Sequence, residues 1–120
     1  MTQQDKDLLL RDLSARLPYG VKININGEED TLLELGVDTG WINASYDIDD
    51  VRPYLRSLSN MTEEEYEEYY NISYGMNNIG SKYKYYDLCD WFNKHHFDYR
   101  GLIEKGLALE APEGMYNLNK

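Results

Sequence analysis

The first apolar residues of the chain recur at helical spacing. Thr2 and Asp5, three residues apart, make an N-terminal capping pattern. Leu9, Leu13 and Leu17 are four residues apart, and Leu10 lies three residues before Leu13, so these leucines share one face of a helix. The chain is therefore predicted to open with an amphipathic helix, which Pro18 and Gly20 end.

An alternating pattern replaces the helical one after Gly20. The segment VKINI at residues 21–25 alternates apolar and polar side chains, and Asn26-Gly27 follows it as a strong hairpin signal. We expect a return strand within residues 28–37 and a third strand at WINASY, residues 41–46. These segments predict a three-stranded antiparallel β-meander, which needs a helix packed on one face to be stable.

Two helices are predicted between residues 53 and 73. Pro53 suits the first position of a short helix ending at Leu58, because the N–H that proline lacks is not needed there. Thr62 and Glu65 have the spacing of a capping box for a helix containing EEEYEEYY. At helical spacing, one shared face is predicted for Tyr66, Tyr69, Tyr70 and Ser73, with Glu67 and Glu68 turned to solvent.

A further helix is predicted to start at Ser81. Its apolar stripe consists of Tyr85, Leu88, Cys89 and Phe92, and His96 continues that stripe. Asp98 is expected to cap a short helical turn through Lys105. The sequence thus predicts an α+β fold with an N-terminal helix, a three-stranded antiparallel meander and a helical C-terminal half. Residues 1–120 should form one domain, with a frayed tail over residues 117–120.

Charge narrows the choice of partners. The net charge is −10, and residues 61–80 carry five glutamates and no lysine or arginine. Binding to a phosphate backbone relies on Lys and Arg contacts, so direct nucleic-acid or anionic-membrane binding is disfavoured and a basic protein surface is the better partner. The chain contains no apolar run long enough for a membrane span and begins without a signal-peptide pattern, so a cytoplasmic protein is expected.

The acidic helix supplies candidates for binding that partner. The predicted partner-binding residues are Glu63, Glu64, Glu67, Glu68 and Tyr69. Tyrosine also stands out, with 12 Tyr against 2 Phe and 2 Trp, and tyrosine is enriched at interfaces. The simpler alternative is a well-capped, solvated helix, and a DNA-mimicking acidic face is another. We expect a monomer or a weak homodimer.

The stretch HHFDYRG, residues 95–101, supplies the candidates for catalysis. A small hydrolase or metal-dependent enzyme would use His95, Asp98, Tyr99 and Arg100. Adjacent histidines on a helix point about 100° apart and cannot readily share a metal, and the single Cys89 adds no second ligand pair. We therefore predict no metal or cofactor and favour a non-enzymatic protein. In that interpretation HHFDYRG is a corner where His96 packs on the core, Asp98 caps, Gly101 allows a tight approach, and Arg100 pairs with a surface acid.

Residues 82–100 are a third candidate site. Lys82, Lys84 and Lys94 are interleaved with tyrosines, as on a surface that stacks nucleobases. The net charge argues against this hypothesis, and an aromatic stripe at helical spacing is usually packing. Tyr85 is accordingly predicted to lie in the core, with Tyr83 and Tyr86 partly exposed.

Three segments resemble a known group of proteins. They are VRPYLRSLSNMTEEEYEEY, a Trp-Phe-Asn segment and HHFDYRGLIEKGLALEAPEGMY, within residues 51–70 and 91–116. Together they resemble small acidic proteins of gut Bacteroidales and their phages or prophages. The resemblance implies a short sheet, a helical C-terminal half and a phage-associated accessory factor that binds, or inhibits, host or phage proteins. It assigns no activity, cofactor or catalytic residue.

Overall fold

The computed structural model describes residues 1–36, 41–76 and 83–116. Within them the helices are α1 (Gln3–Arg16), α2 (Glu63–Met76) and α3 (Tyr85–Lys94), and the strands are β1 (Lys22–Ile25), β2 (Glu28–Thr31), β3 (Val51–Leu55) and β4 (Leu109–Glu110). The mixed α and β content, the N-terminal helix and the helical C-terminal half are confirmed. Predictions on residues 37–40, on the helix start at Ser81, on Lys82 and on the tail 117–120 lie outside the described residues.

The start of α1 is held by the predicted capping box. The Thr2 hydroxyl accepts a hydrogen bond from the Asp5 N–H at 3.1 Å, and the Asp5 carboxylate accepts one from the Thr2 N–H at 3.2 Å. Leu9 and Leu13 are fully buried. They join the apolar side chains of the sheet in one core, so α1 supplies the packing that the sheet requires.

The Asn26-Gly27 hairpin is confirmed. Both residues have positive φ, 52° and 94°, which is the two-residue turn that matches the twist of paired strands. The Asn24 side chain accepts a hydrogen bond from the Gly27 N–H at 2.9 Å and braces the turn. β1 and β2 pair antiparallel across it.

The third strand of the sheet is not WINASY, so that prediction is wrong. Ile42 makes only isolated bridges, to Leu35 and Tyr46, and Asn43 and Ala44 have the positive φ values of a turn. The Asn43 side chain fixes this turn, because its oxygen accepts from the backbone N–H groups at 33 and 34 and its amide donates to the carbonyl at 31. An asparagine bonded to backbone in this way competes with strand pairing.

The third strand is β3, and it contains Pro53. The predicted helix from Pro53 to Leu58 is therefore wrong. The Asn26 N–H donates to the Asp50 carbonyl, so residues 26 and 50 form a hydrogen-bonded pair between β1 and β3. In an antiparallel pair of strands such pairs occur at every second position. Pro53 lies opposite Ile23, at a position between two of these pairs. Pairing with β4 begins only at Tyr54. Proline is tolerated here because neither neighbouring strand needs its missing N–H.

The sheet has four strands in the order β2-β1-β3-β4 and is mixed, which corrects the three-stranded antiparallel meander. β4 runs parallel to β3. A parallel pair needs a long crossover, and the residues between these two strands supply it with α2 and α3. Leu107 and Ala108, next to β4, are buried, whereas Leu109 is exposed.

The buried side chains form two clusters. The larger one joins α1 to the sheet, and the smaller one lies between α2 and α3. The smaller cluster contains Trp91, Phe92 and Phe97, with Met61 and Tyr69 packed against it. None of the helices in the described ranges is long and apolar enough to span a bilayer.

The larger core gives a matched test of burial. Leu13→Ala should lower the free energy of unfolding by about 3 kcal/mol, because it leaves a cavity at a fully buried position. Leu33→Ala, the same substitution at a side chain that is 73% exposed, should change it by less than about 0.5 kcal/mol. Urea unfolding followed by circular dichroism measures both. Equal losses would contradict the assignment of α1 to the core.

Candidate functional site

The HHFDYRG stretch begins where α3 ends. α3 ends at Lys94, and His96 has a φ of 64°, which is not a helical backbone conformation. The prediction that His96 continues the helical stripe is therefore wrong. The chain turns back at this point and the Phe97 N–H donates to the Phe92 carbonyl at 2.9 Å. Phe97 is fully buried, so the stretch forms a corner anchored in the aromatic cluster.

Arg56 and Glu65 form a buried ion pair beneath this corner. The guanidinium donates to both Glu65 carboxylate oxygens at 2.7 Å, and both side chains are more than nine-tenths buried. Arg56 also donates to the His95 carbonyl at 3.0 Å and lies 4.1 Å from the centre of the Phe97 ring. The pair thus joins the end of β3, the start of α2 and the corner after α3.

Glu65 also completes the predicted capping box. Its carboxylate accepts from the Thr62 N–H at 2.9 Å, and its own N–H donates to the Thr62 hydroxyl at 3.1 Å. Burial by itself would raise the pKa of Glu65, but the hydrogen bonds from Arg56 and Thr62 outweigh it, so the pKa lies below its ordinary value of 4.5. The carboxylate is charged at neutral pH. The capping pattern identified Glu65, but its pairing with Arg56 had no local signal.

A second buried network ties α1 to the corner. Asp12 and Arg16, both fully buried, pair at 2.8 Å, and Arg16 donates to the Phe97 carbonyl at 2.7 Å. Arg100 donates to the other Asp12 oxygen at 3.1 Å. The expectation that Arg100 pairs with a surface acid is therefore wrong, because the acid is in the interior.

The remaining catalytic candidates make structural contacts. The Asp98 carboxylate accepts from the backbone N–H groups of Leu102 and Ile103 at 2.8 and 3.0 Å and caps a turn, although residues 102–106 form turns rather than the predicted helix. Tyr99 stacks on Phe92, with ring centres 5.1 Å apart, and its hydroxyl accepts from Arg100. Gly101 has a φ of 73°, a backbone conformation that favours glycine. The expected tight approach at Gly101 is wrong, since an added Cβ would meet nothing within 4 Å.

A polar cavity of about 520 Å³ opens on the other side of the corner. Its lining includes His95, His96 and three glutamates, but not Asp98, Tyr99 or Arg100, so the four candidate catalytic residues do not surround one cavity. His95 lies 3.3 Å from Glu65 and 3.7 Å from Glu68. Burial lowers the pKa of His95 despite these two carboxylates, which leaves a neutral imidazole capable of accepting a proton. Among the described residues, no cluster of histidine, cysteine and acidic side chains could hold a metal ion.

His96 holds the C-terminal segment in place. Its ring stacks on Tyr116 at a centre distance of 3.8 Å, and the Tyr116 hydroxyl accepts from the Lys22 N–H and donates to the Tyr54 carbonyl. Burial raises the pKa of Tyr116 to about 12. Burial, together with the positive charges of Arg16 and Arg56, lowers the pKa of His96 to about 4. His96 is half-buried, and it contacts the larger core through Tyr116.

The helix α2 is rotated relative to the prediction. Glu65, Tyr69 and Ile72 form its inner stripe, whereas Tyr66, Tyr70 and Tyr74 are 57%, 54% and 60% exposed. The predicted common face of Tyr66, Tyr69, Tyr70 and Ser73 is therefore wrong. Tyr69 packs on Trp91 and Phe92, with ring centres 6.2 and 5.8 Å away.

The five predicted partner-binding residues separate into two groups. Glu63, Glu64 and Glu67 are exposed on α2. Glu68 is also exposed but accepts a hydrogen bond from the Trp91 indole at 2.8 Å, and Tyr69 belongs to the aromatic cluster. The outward tyrosines of α2 were missing from the predicted set.

The start of α3 also differs from the prediction. Tyr85 is 70% exposed and Tyr86 is 65% exposed, so the placement of Tyr85 in the core is wrong and the exposure of Tyr86 is confirmed. Tyr85 is the first residue of α3, and the aromatic cluster begins one turn later at Leu88. Its helical spacing was right, but the core does not extend as far as this turn.

Removing one partner of the buried ion pair should be costly. Glu65→Gln is expected to lower the free energy of unfolding by about 3 kcal/mol, because it leaves the Arg56 guanidinium buried without a counter-charge. Glu64→Gln, the same change at the exposed neighbour, should alter it by less than about 0.5 kcal/mol. Urea denaturation at pH 7 compares the two. A Glu65→Gln loss no larger than that of Glu64→Gln would refute the role of the pair.

Stability should fall as the pH is lowered from 7 to 4.5, because His96 is held neutral in the folded chain. The pKa of His96 is about 4 in the folded chain against an ordinary value of 6.5, so below 6.5 the unfolded chain binds a proton that the folded chain does not. Between pH 7 and 4.5 the loss should be about 2 kcal/mol, with a further contribution of the same sign from His95. Glu65, whose pKa is lowered, adds its loss only below about pH 4.5.

The matched variant is His96→Asn, because asparagine tolerates the left-handed backbone but does not titrate. Urea unfolding of both proteins at pH 7.0 and 4.5 isolates the His96 contribution. The variant should lose about 2 kcal/mol less than the wild type over this interval. Equal losses of unfolding free energy in the wild type and the variant would show that the folded chain does not hold His96 in its neutral form.

In comparisons with known proteins, no protein family model, no curated protein and no solved structure matches the chain.

Proposed function

We propose that this chain is a non-enzymatic protein-interaction module that binds a basic segment of another protein. The binding surface is the outward side of α2, called here the acidic tyrosine face. It consists of Tyr66, Tyr70, Tyr74, Glu63 and Glu67, with Glu64 at its edge, where Glu64 also lines the polar cavity beside His95. The observation that carries the proposal is the exposure of three tyrosines, each more than half accessible, one helical turn apart. Single exposed aromatics are ordinary, but an aligned row is typical of an interface.

The charge of the face selects the partner. Residues 57–81 contain five glutamates and no lysine or arginine. Glu65 and Glu68 are engaged by Arg56 and Trp91, whereas Glu63, Glu64 and Glu67 form no ion pair with any described residue. Three carboxylates are thus available to a cationic partner, and the same charges disfavour nucleic acid.

Arginine fits this face better than lysine. Its planar guanidinium stacks on tyrosine rings and pairs with carboxylates through two parallel hydrogen bonds. Tyr66 and Glu67 are neighbours on the same exposed side of α2, so one guanidinium has both kinds of contact within reach. The resemblance to phage-associated proteins predicts that the partner is a host or phage protein.

A fluorescent arginine-rich helical peptide tests the proposal by fluorescence anisotropy. Replacing Glu63, Glu64 and Glu67 with glutamine should weaken binding about tenfold, since three exposed ion pairs contribute about 0.5 kcal/mol each. Glu68 stays unchanged because it bonds to Trp91. The wild-type affinity should fall as salt rises from 50 to 200 mM, and a lysine peptide of equal charge should bind more weakly.

The control removes the same charge elsewhere. Glu28, Glu29 and Asp30 are exposed on the edge strand β2, and their replacement by Gln, Gln and Asn should leave affinity within about twofold of the wild type. Equal weakening in both triple variants would mean that net charge alone attracts the peptide, and the acidic tyrosine face would lose its role.

A further inference from the structure

A groove lies beside the first two turns of α2, next to the short turn Leu58–Asn60. Its volume is about 650 Å³, which is within the range of pockets that bind side chains or small ligands. Phe92, Tyr69 and Met61 supply buried or half-buried apolar surface, and Leu58 and Tyr66 supply exposed apolar surface. The groove is therefore an apolar depression open to solvent.

The groove is continuous with the acidic tyrosine face. Its lining includes Glu63 and Glu67, which are one helical turn apart on α2. Tyr66 and Glu67 also line a shallower depression with Tyr70 and Asn71. Because α2 rises 1.5 Å per residue, the row from Tyr66 to Tyr74 extends this surface by about 12 Å along the helix.

We propose that this groove receives one apolar side chain from an amphipathic helix of another protein, and that arginines one turn on either side of that anchor pair with Glu63 and Glu67. The inference rests on the proposed function and specifies the partner's recognition element. A helix is the matching shape, because its side chains recur at the one-turn spacing of Tyr66, Tyr70 and Tyr74. The anchor supplies buried area, and the arginines neutralise carboxylates that have no ion-pair partner among the described residues.

Charge disfavours the other obvious occupant, a second copy of this chain. Each copy carries a net charge of −10. A two-fold contact through this groove would bring the same patch of each copy together, so Glu63 and Glu67 would oppose identical carboxylates. Like charges held that close destabilise an interface, whereas arginines turn the same glutamates into favourable contacts.

The test uses two peptides and three proteins. One stapled helical peptide carries a central leucine with arginines four residues before and after it, and the second has serine in place of that leucine. The proteins are the wild type, Leu58→Ser in the groove and Leu33→Ser at an exposed leucine outside it. Anisotropy titrations give the affinity ratio of the two peptides for each protein.

The leucine peptide should bind the wild type about tenfold more tightly than the serine peptide, as expected for burying one leucine side chain. This ratio should fall about threefold or more in Leu58→Ser and stay unchanged in Leu33→Ser, because Leu58 lines the groove and Leu33 does not. Circular dichroism checks that both variants are folded.

The two proposals fail in different ways. If both peptides bind the wild type equally and both weaken in the Glu63, Glu64 and Glu67 glutamine variant, the groove proposal is overturned and the interaction face stands. If neither peptide binds the wild type, both are overturned. Self-association seen in sedimentation velocity and lost in Leu58→Ser would assign the groove to a second copy and also overturn the inference.

Discussion

The buried pair of Arg56 and Glu65 is the contact on which the C-terminal half of this fold depends. Arg56 directly follows β3, Glu65 stands in the first turn of α2, and the same guanidinium binds the carbonyl of His95 after α3. Three elements that are distant along the chain therefore meet at one charged group. An apolar pair of similar volume would also pack there, but the forked guanidinium adds hydrogen bonds of defined distance and direction to Glu65 and to the His95 carbonyl.

This pair also determines which side of α2 faces outward. With Glu65 turned to Arg56, helical geometry places Tyr69 and Ile72 on the same inner stripe, where they meet the aromatic cluster. Tyr66, Tyr70 and Tyr74 are then left on the outside. The surface proposed to bind a partner is thus a consequence of a buried ion pair on the opposite side of the same helix.

Local signals predicted the elements that local contacts stabilise. The capping boxes at Thr2 and Thr62 and the Asn26-Gly27 turn are completed within four residues, so the sequence contains all of their partners. The third strand could not be recognised in this way. Pro53 is compatible with a strand only because of the register with β1 and the late start of β4, and both are set by residues far along the chain.

The same limit applied to the candidate site. Glu63, Glu64, Glu67 and Glu68 look alike in sequence, yet the indole of Trp91 engages Glu68, 23 residues away. The tyrosines were equally hard to separate. The chain contains twelve of them, and the neighbouring sequence does not indicate which ones a tertiary contact buries. Charge and aromatic content therefore predicted that α2 has a distinctive surface. Which of its side chains are free to bind depends on Arg56 and Trp91, because these two residues engage Glu65 and Glu68 and leave Glu63, Glu64 and Glu67 unpaired among the described residues.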